Sequence, residues 1–367
     1  MHRLDPAHSY LEHSPIQDAQ QKLMLISRTL PPTNWDVLRL LAVGIVVVGN
    51  GLVLTSGVPP GLWGAPMPRI GLDLLFTIAG YMSAELVRRS ASPGTFLLGR
   101  ARRVFPALAA SVVLTAFMLG PFATTLPHRV FLLAIETRRY LYNIILMPQP
   151  FLPRTFEGQQ WSGATNPMLW TLDAYAVGCI AVLLLSRLRR AVSGAFVLAA
   201  VFAILALIWP TTPQMLPHLL RRSEFADAMP EMPFFFVAAA LSFLGRPHLW
   251  RADLAMLCFA MTWIVATWVD RNTIVLLWLT LPYMAICFGR MTLPGLTRVW
   301  RFGNPSYGAF LYAFPLQQFI VSRWPEVEHP ILICLTVSAV LGLLSWHLIE
   351  HPALRWRSAA QTARVEP

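Results

Sequence analysis

The chain has 367 residues, 56% hydrophobic and 13% charged, with a formal net charge of +11. Soluble globular proteins carry about 25% charged residues. Recurrent apolar runs of about 17 to 21 residues therefore point to a polytopic, all-α membrane bundle. The positive charge gathers at the ends of these runs, which assigns it to the bilayer and not to nucleic acid.

The first 35 residues are polar, contain Pro15, Pro31 and Pro32, and lack the apolar core of a cleavable signal peptide. We expect residues 1–35 to form a flexible cytoplasmic tail, 36–352 the membrane domain, and 353–367 a second cytoplasmic tail. The first span is expected near 37–56. Asp36 and Arg39 stand three residues apart at its start, a spacing at which an ion pair satisfies itself on one helix face. Further along, Asn50 lies between Gly49 and Gly51 in an otherwise apolar run. A buried amide needs partners, so Asn50 should face the bundle interior, either as contact between helices or as a functional group.

The second span is expected near 70–87. Asp73 lies close to its start, where an ionisable group is either an interfacial cap or a functional residue. Arg100, Arg102 and Arg103 follow, just before Pro106 and a third span near 104–123. Clustered arginines beside a span fix its orientation, and their forked donors also suit phosphate. The run from Val130 to Met147 is apolar but interrupted by Glu136, Arg138 and Arg139, and reads as an interfacial or re-entrant helix in a long outer loop. The remaining spans are expected near 169–186, where Asp173 lies close to the start, then 192–209, 231–245, 252–269, 272–289, 304–324 and 330–349. With ten spans and both termini cytoplasmic, 20 of the 29 arginines and lysines fall on the inner side, as the positive-inside bias requires.

Cys179, Cys258, Cys287 and Cys334 each fall inside an apolar run and read as small hydrophobes without metal-ligand or disulfide spacing. None of the nine histidines lies mid-membrane, so no His–Glu pair within the bundle is expected. A nucleophile elbow, a phosphate-binding P-loop and a dinucleotide fingerprint are also missing from the sequence.

Six stretches in this order give the chain a recognisable pattern: Asp36-Val-Leu-Arg-Leu-Leu-Ala-Val43, Gly71-Leu-Asp-Leu-Leu-Phe-Thr-Ile-Ala-Gly80, Arg100-Ala-Arg-Arg-Val-Phe-Pro106, Asn166-Pro-Met-Leu-Trp-Thr-Leu172, Ser306-Tyr-Gly-Ala-Phe-Leu-Tyr312 with Phe314-Pro-Leu-Gln-Gln318, and Leu348-Ile-Glu-His-Pro352. The pattern, over about residues 34–357, resembles the membrane acyltransferase-3 family. That resemblance implies transfer of an acyl group, commonly acetyl from acetyl-CoA, to a hydroxyl of a cell-surface or exported carbohydrate, by a protein of the bacterial inner membrane. It implies that Arg100 and Arg103 hold the CoA phosphates from the cytoplasm. Three family positions differ. A histidine eleven residues after the first-span arginine is here Asn50, after Arg39. A glutamate five residues after the motif tryptophan is here Tyr175, with Asp173 about 200° away around the helix. A ninth-span histidine is here Ala313.

These losses bear on the chemistry. Histidine takes a hydroxyl proton near neutral pH, and losing such a base costs about 10²- to 10⁴-fold. Asparagine cannot accept that proton, although it can donate to a developing oxyanion. Two functions follow as expectations. One is an O-acyltransferase in which Arg39, Asn50 and Tyr175 occupy the catalytic positions and Asp73 or Asp173 assists from the outer side. The other is an inactive relative that scaffolds glycan assembly. A transporter fits less well, because the intramembrane charges form no relay. No metal is expected.

Overall fold

A computed structural model describes residues 34–58, 60–159, 164–210, 223–268, 273–293 and 303–355. The two expected tails lie almost wholly outside these segments. The described chain is mainly helical, with a small hairpin in which Gly61–Leu62 pairs with Ala65–Pro66 and isolated bridges at Thr124–Thr155 and Phe151–Ala164.

Helix α1 spans Trp35–Ser56 and ends where Gly57 turns left-handed (φ 79°) and returns its N–H to Val53, the usual glycine stop. Helix α2, Met67–Arg89, begins with proline in its first turn. Helix α3 runs from Pro93 to Leu114, through a π-helical turn at Thr115–Leu119, to Ala123. It starts eleven residues before the expected third span, because Ser92 and Thr95 form a capping box around Pro93. The arginines of 100–103 therefore belong to the helix itself.

The run from 128 to 145, expected in an outer loop, is broken into α4 (His128–Leu133), α5 (Ile135–Tyr140) and a 3₁₀ turn (Leu141–Ile145). It is a chain of short helices and not the single interfacial helix expected. Phe131, Tyr140 and Leu152 bury it against the bundle. Then come α6 (Trp170–Leu185), α7 (Ala191–Ile208), α8 (Ser223–Ala228), α9 (Met232–Leu244), α10 (Ala252–Trp268), α11 (Thr273–Arg290), α12 (Ser306–Arg323) and α13 (Pro330–Ser345, continuing through a π turn at Trp346–Glu350).

Among the described residues, seven helices are long and apolar enough to cross a membrane, and α9 and α10 are shorter apolar helices. Leu184, Val197, Met256, Ile264, Leu332 and Leu348 point outward. Such a rim would be unstable in water and is the normal surface of a helix in lipid.

Helix α2 is the hub, packed by α1, α6, α9 and α11. Gly80 lets it approach α9 so closely that a methyl group there would run into the Phe235 carbonyl, a small-residue contact of the kind that drives helix association in membranes. One end of the bundle collects the start of α1, the ends of α2 and α11 and the starts of α3 and α12. There Arg290 donates to the Tyr81 hydroxyl at 2.8 Å, and Arg88 to the Ser242 carbonyl at 2.8 Å. This is the basic end.

Candidate active site

At the basic end, α1, α2, α3, α6 and α12 enclose a cavity of about 180 Å³. Its polar wall is Arg39, Arg100, Arg103, Thr171, Tyr175, Ser306 and Tyr307. Four of the seven expected site residues thus meet in one place. Leu72, Phe76 and Ala79 supply the apolar wall, at the i, i+4, i+7 spacing that puts them on one face of α2.

Each arginine is held by identifiable partners. Arg39 Nη1 donates to Asp36 Oδ1 at 2.6 Å, the expected i,i+3 pair. The same Asp36 oxygen accepts from Asn304 Nδ2 at 2.8 Å, and Asn304 Oδ1 in turn accepts from the Ser306 hydroxyl at 2.6 Å. This chain pins the start of α12 to the start of α1. Arg100 Nη2 donates to Ser83 Oγ at 3.1 Å, and its guanidinium lies over the rings of Phe96 (5.7 Å) and Tyr175 (5.9 Å). Cys179 lies 3.4 Å from that Ser83 hydroxyl. Arg103 stacks on Trp346 (5.5 Å) and pairs with Glu350 at 3.7 Å. Glu350 is 1% exposed and also accepts from Ser345 Oγ at 3.2 Å.

Three guanidiniums face two carboxylates here, leaving a net positive site. Arg100 Nε is buried and has no hydrogen-bond partner among the described residues. An unfilled cationic donor beside a cavity suits an anionic ligand. The volume is below the roughly 300–1,000 Å³ of sites that enclose a drug-sized molecule. It suits a small anionic group such as a phosphate.

The other expected residues lie elsewhere. Eleven residues bring a helix round by three turns, so Asn50 shares Arg39's face about 16 Å further along the axis. Val46 and Val47, almost fully buried, fill the space between. Asn50 itself is 8% exposed. Beside it, Gln317 Nε2 donates to the Val47 carbonyl at 2.5 Å, and Gly51 closes against Gln317 and Ile331.

Asp73 is on the face of α2 turned toward α9 and is fully buried. It is no interfacial cap: Glu231 is its charged neighbour, and neither of its carboxyl oxygens has a hydrogen-bond partner among the described residues. Arg69 Nε donates to the other side of Glu231 at 3.0 Å. Asp173 is in the first turn of α6, where a carboxylate complements the helix dipole, and does not line the cavity. Ala313, at the third departure, is buried in α12.

Several residues that shape the site carried no role in the sequence reading. Glu350 and Gln317 were visible only as members of quoted motifs. Both are polar groups in apolar helices, which is the signal that marks them. Asn166 has a legible reason in hindsight. Pro315 has no N–H to give the Leu311 carbonyl four residues earlier, and Asn166 Nδ2 supplies the missing bond at 3.1 Å. Ser83 and Asn304 had no local signal.

A family profile described as an acyltransferase domain, that of the acyltransferase-3 family, matches residues 33–347. A similar curated protein is the O-acetyl transferase of Shigella phage Sf6. It is 26% identical over 338 residues, which span 86% of this chain and 94% of the relative. No solved structure matches significantly.

Proposed function

The chain belongs to the acyltransferase-3 family, and from that premise we propose that it moves an acyl group, acetyl in the first instance, from acyl-CoA to a hydroxyl of a cell-surface or exported carbohydrate. The observation that carries this reading is the convergence of Arg39, Arg100 and Arg103 on one cavity with an unfilled cationic donor. The name of the phage relative supports acetyl as the group and oxygen as the acceptor atom. We place ten spans in a bacterial inner membrane with both termini cytoplasmic, which puts the basic end where CoA is available.

In this reading the arginines hold phosphate or the polarised thioester region. The apolar wall of α2 receives the acyl arm. Tyr175 and Tyr307 line the cavity, the Tyr307 hydroxyl donating to the Val104 carbonyl at 3.0 Å. Asn50 lies about 16 Å further along the Arg39 face, behind the packed Val46 and Val47, and has no part in the cavity chemistry of this reading. Overall, the acceptor hydroxyl gives its proton to the departing CoA thiolate as the C–O bond forms and the C–S bond breaks.

The test is acetyl-CoA turnover by the purified protein in the presence of candidate glycans. The control is Arg103→Ala combined with Glu350→Gln, which removes the cation without stranding its carboxylate. Turnover by the natural protein and its loss in the control are expected. Equal turnover, or none in either, sinks the proposal.

One observation favours a second reading, an inactive scaffold for glycan assembly. Among the described residues no imidazole or carboxylate lines the cavity, so none of them is a conventional base facing it. Asn50→His with Tyr175→Glu separates the two readings. Activity that emerges only in this variant supports the scaffold. Activity in the natural protein that equals the variant's excludes it.

A further inference from the structure

A larger cleft of about 710 Å³ opens at the basic end, beside the arginine cavity. Arg88, Arg187, Arg189 and Arg190 line it, with Ser92 and Ser193 among its hydroxyls, and no carboxylate does. Arg88 is partly engaged, by Glu85 at 3.5 Å and by the Ser242 carbonyl. Arg187, Arg189 and Arg190 pair with no carboxylate among the described residues. The first turn of α7 forms part of the same wall. It has no side-chain cap, and its first intrahelical bond runs from Gly194 N to Arg190 O, which leaves the N–H groups of residues 191–193 without helical partners. The N-terminus of α3 is already closed by its capping box. Four guanidiniums and one open, 18-residue helix terminus thus surround a volume in the range of small-molecule sites.

Orientation in the bilayer explains arginines at this end but requires no cleft between them. We propose that this cleft binds a phosphate ester, separately from the arginine cavity. Two sources of that chemistry are available at the basic end. One is the nucleotide end of acyl-CoA, with its pyrophosphate and 3′-phosphate. The other is the headgroup of an anionic phospholipid. The first rests on the function proposed above and has a geometric reason: the 180 Å³ cavity cannot enclose a nucleotide. Phe96, fully buried, lines the cleft while its ring lies under Arg100, which lines the cavity. The Phe96 ring thus separates the cleft from the Arg100 guanidinium of the cavity.

The test uses the natural protein and an Arg187→Gln, Arg190→Gln variant, both in nanodiscs. Calorimetry follows CoA and dephospho-CoA, which lacks the 3′-phosphate. Native mass spectrometry follows retained phosphatidylglycerol. If the nucleotide end occupies the cleft, the variant loses about tenfold or more in CoA affinity, and the preference for CoA over dephospho-CoA disappears. If a lipid occupies it, CoA affinity is unchanged and retained phosphatidylglycerol is lost. Lysine at both positions restores part of either effect, since charge survives without the fork. A variant equal to the natural protein in both measurements overturns the proposal. Should the natural protein not bind CoA at all, the function above fails, and the lipid measurement still decides the cleft.

Discussion

Arg39 and Asn50 share one face of α1, yet the two ends of that face are built in opposite ways. Around Arg39 the bundle stays open. Cations outnumber their carboxylates, and a buried donor of Arg100 is left over. Around Asn50 the bundle is closed. Gly49 packs on Pro68, Gly51 on Gln317 and Ile331, and Val46 and Val47 fill the interval below. The expected cofactor end has kept space for a ligand, while the position of the expected base is occupied by close packing. Polarity in a membrane helix is thus compatible with either a site or a well-filled contact. What separates them is whether donors are left over and whether room remains.

The strongest way to break this contrast is at Arg103. Arg103→Ala leaves Glu350 buried without its cation, which costs about 3–5 kcal/mol of stability. Adding Glu350→Gln should recover most of the melting temperature but none of the CoA affinity. If the double variant binds CoA normally, the open end is an anchor and not a site.

The closed end is probed by Gly49→Ala. A methyl group there would come within 2.6–2.7 Å of the Pro68 ring, an overpacking that costs about 1–3 kcal/mol. Gly44, on the same helix, has open space at its Cβ position, so Gly44→Ala should unfold at the natural temperature or slightly above it. Equal thermal shifts for the two would mean that the end around Asn50 is not tightly filled.

The smallest effect is expected in the loop between α5 and α6. Arg154 donates to Glu157 at 2.7 Å and Thr125 donates to it at 2.9 Å, which holds the Glu157 carboxyl below its ordinary range. A depressed pKa contributes stability at neutral pH that is lost as the pH falls through the folded-state value. The pair is exposed, so Glu157→Gln should leave the neutral melting temperature nearly unchanged and flatten its fall below about pH 4. A large loss at neutral pH would show that this loop, and not the packing around Asn50, holds the end opposite the basic end together.

Much of this was legible along the chain. Hydropathy and charge marked a helical membrane protein, because apolar length and terminal arginines are local properties. The expected spans coincide in position with described helices, of which seven are long and apolar enough to cross a membrane; α3 begins earlier, where a capping box outweighs the low hydropathy of its first turns. The motifs were sufficient to place the chain in its family, and Arg39, Arg100, Arg103 and Tyr175 were marked before any helix was packed on another. Only the tertiary structure decided that these four meet, that Asp73 turns away to Glu231, that Glu350 holds Arg103, and that a second basic cleft lies alongside. The reason is physical. A helix presents every residue on some face at 100° steps, and which face meets which neighbour depends on contacts between residues up to about 270 positions apart, as between Asp36 and Asn304. No local pattern encodes that meeting.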